Sequence, residues 1–565
     1  MKKSVFVLSL FSACVFAQNT IPIPDTLTGI NISLTMHTDS MSILPGKYSQ
    51  TLAYNSAFHF LGPTLILNKW QTVNATVTNQ IGDTTTLHWH GLHVAPKNDG
   101  GPHTQILNGA SWYPSFTIMN HASMYWYHPH FMGKTAEQAI KGASGLIIIR
   151  DSAEAALTLP RKYGIDDIPL IVKCLQLDSN NQFLPKGMQD STLLVNGVTN
   201  PQFNLPAQVV RLRLLNGSGE RTFNFGFTGN KSFYVIGNDG GLLNAPVLTT
   251  RIRLSPGERA EVLINLTGMN GQTIYLMSYA SELLMGVQGG PTMPMPPGSP
   301  PMNSPLDGIN FNILKLNVIA QTSNPVTTIP ATLIPVTPYP QSQANLTRNI
   351  TFTADSMMVM DGPFYFNGLS FDMMRIDYRM PLGQTEIWTL FDSTMVAHPF
   401  HVHDVQFFVL DRDGNSPPPQ EQGWKDVVLV QPNETVRIIM KFTDFTDSTI
   451  PYMYHCHILM HEDDGMMGQF EVMPQGWAGI KQVSGNTEQV SVYPNPVNSV
   501  FTIQTINSEK IDNISVFDLL GNKVLEIKAI NAERVGIDIS SLSIGQYFIQ
   551  AITSRDVVNK KIIKE

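Results

Sequence analysis

Four His-x-His pairs constrain this chain more than any other feature of its sequence. They contain eight of the 15 histidines and are His88/His90, His128/His130, His401/His403 and His455/His457. On a β-strand, residues two apart project from the same face, so each pair is expected to present two imidazoles side by side. One pair alone is weak evidence. Two pairs in each of two separated regions indicate a metal cluster where those regions face each other.

Cys456 stands between two of these histidines, in the stretch YHCHILMHEDDGMMG at 454–468. The residue between two strand histidines points to the opposite face, so this cysteine is available to a different metal. The other ligands expected for that metal are His398, His461 and Met466. Two histidines, a cysteine thiolate and a weak axial methionine form the blue-copper electron-transfer site. The sequence thus predicts an electron-transfer metal joined to a cluster through the backbone beside Cys456.

The rest of the sequence favours an all-β chain, because its short apolar runs are punctuated by 42 Gly and 38 Pro. The runs MYWYHPH (124–130), IYLMSYA (274–280) and PYMYHCH (451–457) occupy matching places in three stretches. This pattern indicates one β-sandwich repeated three times. The middle copy has no histidine at the matching places, so the first and third copies are expected to carry the chemistry.

The N-terminal stretch MKKSVFVLSLFSACVFA, residues 1–17, has a basic start, an apolar run and a small residue at Ala17. We interpret it as a secretory signal peptide, since the apolar run is too short to span a bilayer. The alternative is a lipoprotein signal with Cys14 as the lipidated residue. We then predict sandwiches over 18–155, 156–322 and 323–476, a linker over 477–490 and a small β-sandwich domain over 491–565.

Four motifs resemble those of the multicopper oxidase family, and the resemblance covers roughly residues 40–475. They are HWHGLH (88–93), YHPH (127–130), HPFHVH (398–403) and HCHILMHEDDGMM (455–467). The resemblance implies three cupredoxin-like Greek-key domains and four copper ions. A type 1 copper would be held by His398, Cys456, His461 and Met466, a type 2 copper by His88 and His401, and a type 3 pair by His90, His128, His130, His403, His455 and His457.

Two acidic residues lie beside these motifs. Glu462 follows His461 directly, and Asp99 lies in KNDGGP shortly after HWHG. Both resemble acids that are assigned proton delivery in bacterial copper-efflux oxidases, and dioxygen reduction consumes protons. The alternatives are a turn-forming role for Asp99 and a solvated carboxylate for Glu462.

The electron donor is left open between Cu(I) and a phenol. The chain has 26 Met, with clusters over 285–302 and 357–360, and thioethers suit Cu(I). The long Met-rich insertion typical of copper-efflux oxidases is not visible, which keeps a phenol-oxidising laccase as an alternative. A function from another class is copper sequestration without turnover, although a complete cluster set argues against it.

The last 75 residues, 491–565, resemble the type IX secretion sorting domain. The features that carry this resemblance are VYPNPV (492–497), VFDLLGNKV (516–524) and the ending IGQYFIQAITSRDVVNKKIIK (544–564). It implies export across an outer membrane, followed by release or surface attachment. The alternative is an accessory or adhesion β-sandwich.

The charge pattern limits the partners. Charged residues make up 14% of the chain, its net charge is −8, and no basic patch suggests a nucleic acid. The partners expected are therefore dioxygen, a small reducing substrate and the type IX secretion machinery, with a monomer as the default state.

Overall fold

The computed structural model describes residues 18–55, 59–185, 189–292, 304–356, 362–475, 490–505, 510–519, 521–553 and 557–565. The chain divides into two compact units, Met1–Gly476 and Trp477–Glu565. Strands dominate both, which confirms the all-β prediction. No helix in the described ranges is long and apolar enough to cross a membrane. The signal peptide predicted over 1–17 lies outside these residues.

The strands described in the first unit are numbered in chain order. They are β1 Asn19–Thr20, β2 Thr26–Thr28, β3 Asn31–Met41, β4 Ser49–Tyr54, β5 Thr64–Asn68, β6 Thr72–Gln80, β7 Ser111–Trp112, β8 Ser115–Thr117, β9 Met124–Tyr127, β10 Gly145–Arg150, β11 Asp167–Leu175, β12 Thr192–Val195, β13 Pro201–Pro206, β14 Val209–Asn216, β15 Phe223–Phe227, β16 Phe233–Asn238, β17 Gly241–Thr249, β18 Ile252–Leu254, β19 Arg259–Asn265, β20 Thr273–Ser278, β21 Phe311–Ile319, β22 Leu346–Ala354, β23 Phe364–Phe366, β24 Tyr378–Pro381, β25 Thr385–Asp392, β26 His398–Val402, β27 Phe408–Arg412, β28 Val427–Val430, β29 Thr435–Lys441, β30 Tyr452–Cys456 and β31 Met467–Met473.

Helices in the described part of this unit are short. The α-helices are α1 Pro96–Asp99, α2 Thr135–Ile140, α3 Ser152–Ala155 and α4 Leu459–Asp463, and the 3-10 turns are Thr228–Asn230, Ala280–Glu282, Gln341–Gln343 and Pro419–Glu421.

The first sandwich packs the sheet β4-β3-β6-β7, with β8 also on β6, against the sheet β2-β5-β10-β9. Strand β3 shows why it folds this way, since Ile32, Leu34 and Met36 are buried while Asn31 and Ser33 are exposed. Such alternation buries one face of a strand and leaves the other in water. The buried faces of the two sheets share one core.

The second sandwich packs the sheet β1-β13-β21-β20-β15-β18 against the sheet β12-β11-β14-β19-β16-β17. Its strands β11 and β14 are buried along their whole length, so neither face of these strands is open to solvent. Strand β1 pairs with β13, so residues 19–20 join this sandwich rather than the first. The predicted boundary at 155 falls between β10 and β11, and the one at 322 between β21 and β22. The boundaries themselves stay predictions.

The third sandwich packs the sheet β23-β22-β25-β29-β27 against the sheet β24-β31-β30-β26-β28. Strand β26 pairs directly with β30, with His401 opposite His455 and Phe400 opposite Cys456. This register brings the HPFHVH and HCH motifs side by side, although more than 50 residues of chain separate them.

The second unit is a small β-sandwich with its own core. Its described sheets have the orders β32-β33-β36 and β35-β34-β37-β38. The strands are β32 Val490–Tyr493, β33 Val500–Thr505, β34 Ile511–Phe517, β35 Lys523–Ala532, β36 Arg534–Asp538, β37 Gly545–Thr553 and β38 Val557–Lys564.

Candidate metal centre

The eight paired histidines meet between the first and third sandwiches. Each is at most 1% exposed, and the ring centroids within each pair are 5.1–6.2 Å apart. Three of the pairs lie at strand ends, whereas His88 and His90 lie outside the named strands, with His88 in an isolated bridge to His128. His401 and His455, for example, lie within β26 and β30, whereas His403 and His457 lie just beyond them. The sequence prediction that each pair presents two neighbouring imidazoles therefore agrees with the geometry.

Two stacked ring pairs join the sandwiches across the cluster. The rings of His88 and His403 are 3.9 Å apart with 18° between their planes. The rings of His90 and His401 are also 3.9 Å apart, with 10° between their planes. Each stack takes one ring from the first sandwich and one from the third.

One group of three nitrogens is centred on His90. Its Nδ1 lies 3.3 Å from Nε2 of His128 and 3.3 Å from Nε2 of His457. Convergence of three buried imidazole nitrogens on one point is the arrangement that a metal ion requires.

A second group of three nitrogens is centred on His130. Its Nε2 lies 3.2 Å from Nε2 of His403 and 3.2 Å from Nε2 of His455. Burial lowers the pKa of His130 to about 3 despite the opposing effect of Glu462, which favours the neutral ring that metal binding needs.

The two remaining histidines supply a third position. Nε2 of His88 and Nε2 of His401 are buried and have no hydrogen-bond partner among the described residues. Buried polar atoms without partners are rare and point to an absent ligand. The donor set therefore fits the copper cluster that the motifs imply.

Hydrogen bonds to main-chain carbonyls fix several of these rings from outside. Nδ1 of His88 donates to the carbonyl of Asp99 at 2.9 Å, and Nδ1 of His128 donates to that of Pro129 at 2.8 Å. Nδ1 of His455 donates to the carbonyl of Cys456 at 3.0 Å. Such outer partners set the tautomer and orient the opposite nitrogen towards the metal.

The second centre surrounds Cys456. Its Sγ lies 3.6 Å from Nδ1 of His398 and 3.6 Å from Nδ1 of His461, and these two nitrogens are 3.2 Å apart. Met466 is completely buried in the same core, and its amide donates to the carbonyl of His461 at 2.8 Å. The ring of Phe364 lies 4.5 Å from that of His461 and closes one side. Burial lowers the pKa of His461 to about 3, which favours a neutral ligand.

The sequence has close relatives among known proteins. Family models described as multicopper oxidase match residues 35–154, 173–291 and 336–476. A multicopper oxidase of Staphylococcus haemolyticus is 32% identical over 453 residues, which cover 78% of this chain and 88% of the relative. The cell division protein FtsP of Xenorhabdus nematophila is 30% identical over 427 residues, or 74% of this chain and 85% of that protein.

The chain belongs to the multicopper oxidase family.

Solved structures agree with this membership. The multicopper oxidase McoA of Aquifex aeolicus has a TM-score of 0.72 at 30% identity, covering 81% of this chain and 100% of that one. A laccase-like multicopper oxidase, CueO of an Ochrobactrum species, has a TM-score of 0.70 at 31% identity, covering 80% of this chain and 100% of that one. These neighbours confirm the cupredoxin-like fold and identify the chain as an oxidase. The last part of this multicopper oxidase, 491–565, matches the secretion system C-terminal sorting domain.

Both acids predicted from the sequence lie against the cluster of this multicopper oxidase. Oδ2 of Asp99 lies 2.8 Å from Nδ1 of His403. The two oxygens of Glu462 lie 3.3 and 3.2 Å from Nδ1 of His130 and of His455. Burial on its own raises the pKa of Glu462, but the imidazoles of His130 and His455 outweigh it and hold that pKa well below its usual range.

Asp426 and Arg259 were not singled out from the sequence, yet both belong to the site. Asp426 is fully buried, its Oδ1 lies 3.1 Å from Nε2 of His90, and its carbonyl accepts from Nδ1 of His401 at 2.7 Å. Arg259, from the second sandwich, contacts the Asp426 carboxylate. The available signal was weak, namely an acid placed directly before the apolar run VVLV.

The methionine clusters fall largely outside the described residues. Met293, Met295 and Met302 lie in the undescribed segment 293–303, and residues 357–360 lie in the undescribed segment 357–361. Met285 is described and is 54% exposed. The proposed role of these clusters in Cu(I) capture stays a prediction.

Proposed function

We propose that this protein is a secreted multicopper oxidase that couples one-electron oxidation of a donor to the four-electron reduction of dioxygen to water. The donor side is the Cys456 centre and the dioxygen side is the histidine cluster. One observation carries this proposal. Cys456 belongs to the ligand group of the donor side, while its two neighbours in the chain, His455 and His457, each belong to a different ligand group of the histidine cluster. Copper sequestration would not require such a connection.

Four copper ions would occupy these positions. The type 1 copper would bind His398, Cys456 and His461, with Met466, buried in the same core, as its fourth ligand. The type 2 copper would bind His88 and His401, and the type 3 pair would bind His90, His128, His457, His130, His403 and His455. When bound, this set of one-electron metals stores the four electrons that dioxygen needs, so that partly reduced oxygen is not released.

The protein around the ligands excludes water and supplies protons. All eight cluster histidines are essentially inaccessible to solvent, so protons must arrive through buried groups. Asp99 and Glu462 contact the outer nitrogens of four of these rings. We assign to these two carboxylates the role of relaying protons to the cluster, each accepting a proton and passing it on.

The donor is proposed to be Cu(I) or a phenol. The Ochrobactrum structure is described as having oxidase activity towards lignin model compounds and lignosulfonate. A Campylobacter jejuni multicopper oxidase, 26% identical with a TM-score of 0.64, is described as a metallo-oxidase. Both a phenolic donor and a Cu(I) donor therefore belong in the first assay.

The decisive experiment is oxygen uptake by the copper-loaded enzyme with a chelated Cu(I) donor and, separately, with a phenol, the latter with and without added Cu(II). Uptake with Cu(I) and Cu(II)-dependent phenol oxidation would identify a cuprous oxidase. Uptake with a phenol alone would identify a laccase. Absence of uptake with either donor, from protein holding its full copper complement, would leave sequestration.

Two cysteine variants provide the matched control for that assay. Cys456→Ser is expected to remove the blue colour and oxygen uptake with either donor, because the type 1 site loses its thiolate. Cys174→Ser changes a buried thiol in the second sandwich and is expected to retain both.

Export is proposed to depend on the C-terminal unit, which matches a sorting domain. Deletion of 491–565 in a bacterium with a type IX secretion system is expected to keep the oxidase inside the outer membrane. Since this unit has its own core, the purified truncated enzyme should take up oxygen at the full-length rate. Surface display of the truncated chain would contradict this assignment.

A further inference from the structure

Asp426 occupies a position that mirrors that of Asp99 across the histidine cluster. The carbonyl of Asp99 accepts from a histidine of its own sandwich, and its carboxylate contacts a histidine of the other. Asp426 does the same in the opposite direction: its carbonyl accepts from His401 of its own sandwich, and its Oδ1 lies 3.1 Å from Nε2 of His90 in the first. The two acids therefore hold both stacked ring pairs from outside.

Arg259 distinguishes the two acids. Its Nη1 and Nη2 lie 2.6 Å from Oδ1 and 2.6 Å from Oδ2 of Asp426, which is a bidentate ion pair. Both side chains are completely buried. Bidentate pairing fixes a carboxylate in its plane as well as in its position.

The guanidinium is itself held by its surroundings. Nη2 donates to the carbonyl of Asp239 at 2.8 Å and Nη1 to that of Gly257 at 3.0 Å. The amide of Arg259, at the start of β19, donates to Oδ1 of Asp239 at 2.8 Å. Because β19 belongs to the second sandwich, the sandwich without cluster histidines contributes a side chain that reaches the cluster.

Gly91 leaves room for this contact. A Cβ at this position would collide with the Asp426 carboxylate and lie 3.0 Å from Nη2 of Arg259, and the backbone φ of +84° also favours glycine. The glycine of the HWHG motif thus lets the ion pair approach the turn that carries His90.

We propose that Arg259 is a positioning residue of the copper cluster, acting through Asp426. By occupying both oxygens of Asp426, it keeps this carboxylate an acceptor, so that His90 donates from Nε2. Nδ1 of His90 is then left with its lone pair and faces His128 and His457, as the geometry requires. This inference rests on the proposed copper assignment, because it concerns how ligands for the cluster are oriented.

The test compares Arg259→Met, which removes the charge, with Arg259→Lys, which keeps the charge but lacks the planar pair of guanidinium donors. Copper per chain, the blue type 1 absorbance, the type 2 electron paramagnetic resonance signal and the near-ultraviolet type 3 band are measured on the full-length protein. We expect Arg259→Met to keep its type 1 signal and to bind the cluster coppers about 10–100-fold more weakly, as is usual when an outer partner of a metal ligand is lost. Arg259→Lys should restore part of this affinity.

A matched control separates positioning from general stability. Arg213 is also a fully buried arginine of the second sandwich and pairs with Asp167 and Glu261, at 2.6 and 2.5 Å. Arg213→Met should lower the melting temperature yet leave all copper signals intact. If Arg259→Met does not fold, Asp426→Asn takes its place, with Arg259→Lys as the milder change.

Several results would overturn the proposal. One is a full type 2 signal and type 3 band in Arg259→Met or in Asp426→Asn. Another is an equal loss of copper in Arg259→Met and Arg213→Met. A third is that Arg259→Lys binds the cluster coppers no better than Arg259→Met. A wild-type protein that binds four coppers but takes up no oxygen would defeat the proposed function while leaving the copper-binding comparison intact. The two failures are therefore distinguishable.

Discussion

The two sides of the histidine cluster carry the same kind of acid in two different electrostatic settings. Asp426 has both oxygens bound to the guanidinium of Arg259. Asp99 is equally buried, but among the described residues the ion-pair contacts of its carboxylate are the imidazoles of His88 and His403, and its Oδ1 has no hydrogen-bond partner. One acid is thus compensated by a fixed cation, while the other retains an open lone pair beside the cluster.

Two similar positions beside the cluster are thus suited to different tasks. A carboxylate clamped by arginine is suited to hold ring geometry, whereas one without a cation can accept a proton. Among the described residues, the second sandwich places an arginine against the carboxylate of Asp426 but not against that of Asp99.

The largest effect is expected where the two sides are alike, at His88 and His401. Each presents an Nε2 without a hydrogen-bond partner among the described residues, so His88→Ala and His401→Ala should each remove the type 2 resonance signal. Oxygen uptake should fall by more than about 100-fold, since loss of a ligand exceeds loss of an outer partner. His37→Ala, at a histidine of β3 outside the cluster, is the control. If the type 2 signal survived one of these two substitutions, His88 and His401 would not contribute equally to binding the type 2 copper.

Exchange of each acid for its amide is expected to separate the two sides. Asp99→Asn should keep all coppers and lower the rate of reoxidation by dioxygen about 100-fold or more, because it removes the proposed proton carrier. Asp426→Asn should instead lower copper occupancy and the free energy of unfolding by about 3–5 kcal/mol, because Arg259 is left buried without its partner.

Those two variants are compared by copper analysis, single-turnover reoxidation and denaturant unfolding. A solvent isotope effect on reoxidation should change in Asp99→Asn only. Copper loss in Asp99→Asn, or full copper with slow reoxidation in Asp426→Asn, would reverse the assignment of the two sides.

A smaller effect is expected from Gly91→Ala, which acts on the Asp426 side alone. The added Cβ would meet the Asp426 carboxylate and Arg259, so part of the cluster copper should be lost. Gly109→Ala has a similar φ of +80° with nothing within 4 Å of its Cβ, and it should cost only the backbone penalty of about 1–2 kcal/mol. Equal copper content in both variants would show that the close approach at Gly91 is unimportant.

The smallest effect is expected from Gln406→Leu. Nε2 of Gln406 donates to the carbonyl of Gly91 at 2.5 Å, which also accepts from Asn120 at 2.9 Å. Loss of one such hydrogen bond should lower the free energy of unfolding by about 1 kcal/mol and leave copper unchanged. Copper loss in Gln406→Leu would mean that copper retention depends on contacts between the sandwiches in general and not specifically on the Asp426–Arg259 ion pair.

The sequence predicted most of the fold and the ligand groups because their signals are local. Paired histidines, the cysteine between two of them and the acids beside the motifs can be identified within a few residues. Arg259 and Asp426 could not be found this way, since 167 residues separate them and their contact depends on how three sandwiches pack. The lack of histidines in the second sandwich likewise gives no sign that it reaches the cluster.

Each stacked ring pair takes one member from residues 88–130 and the other from residues 398–457. Neither half of the chain can therefore assemble the cluster alone, and translation must pass residue 457 before a complete set of rings exists. An incomplete chain cannot gain the capacity to reduce dioxygen. Under the proposed copper assignment, the cluster can therefore be loaded only after residues 88–457 have all been synthesised and the first and third sandwiches have come together.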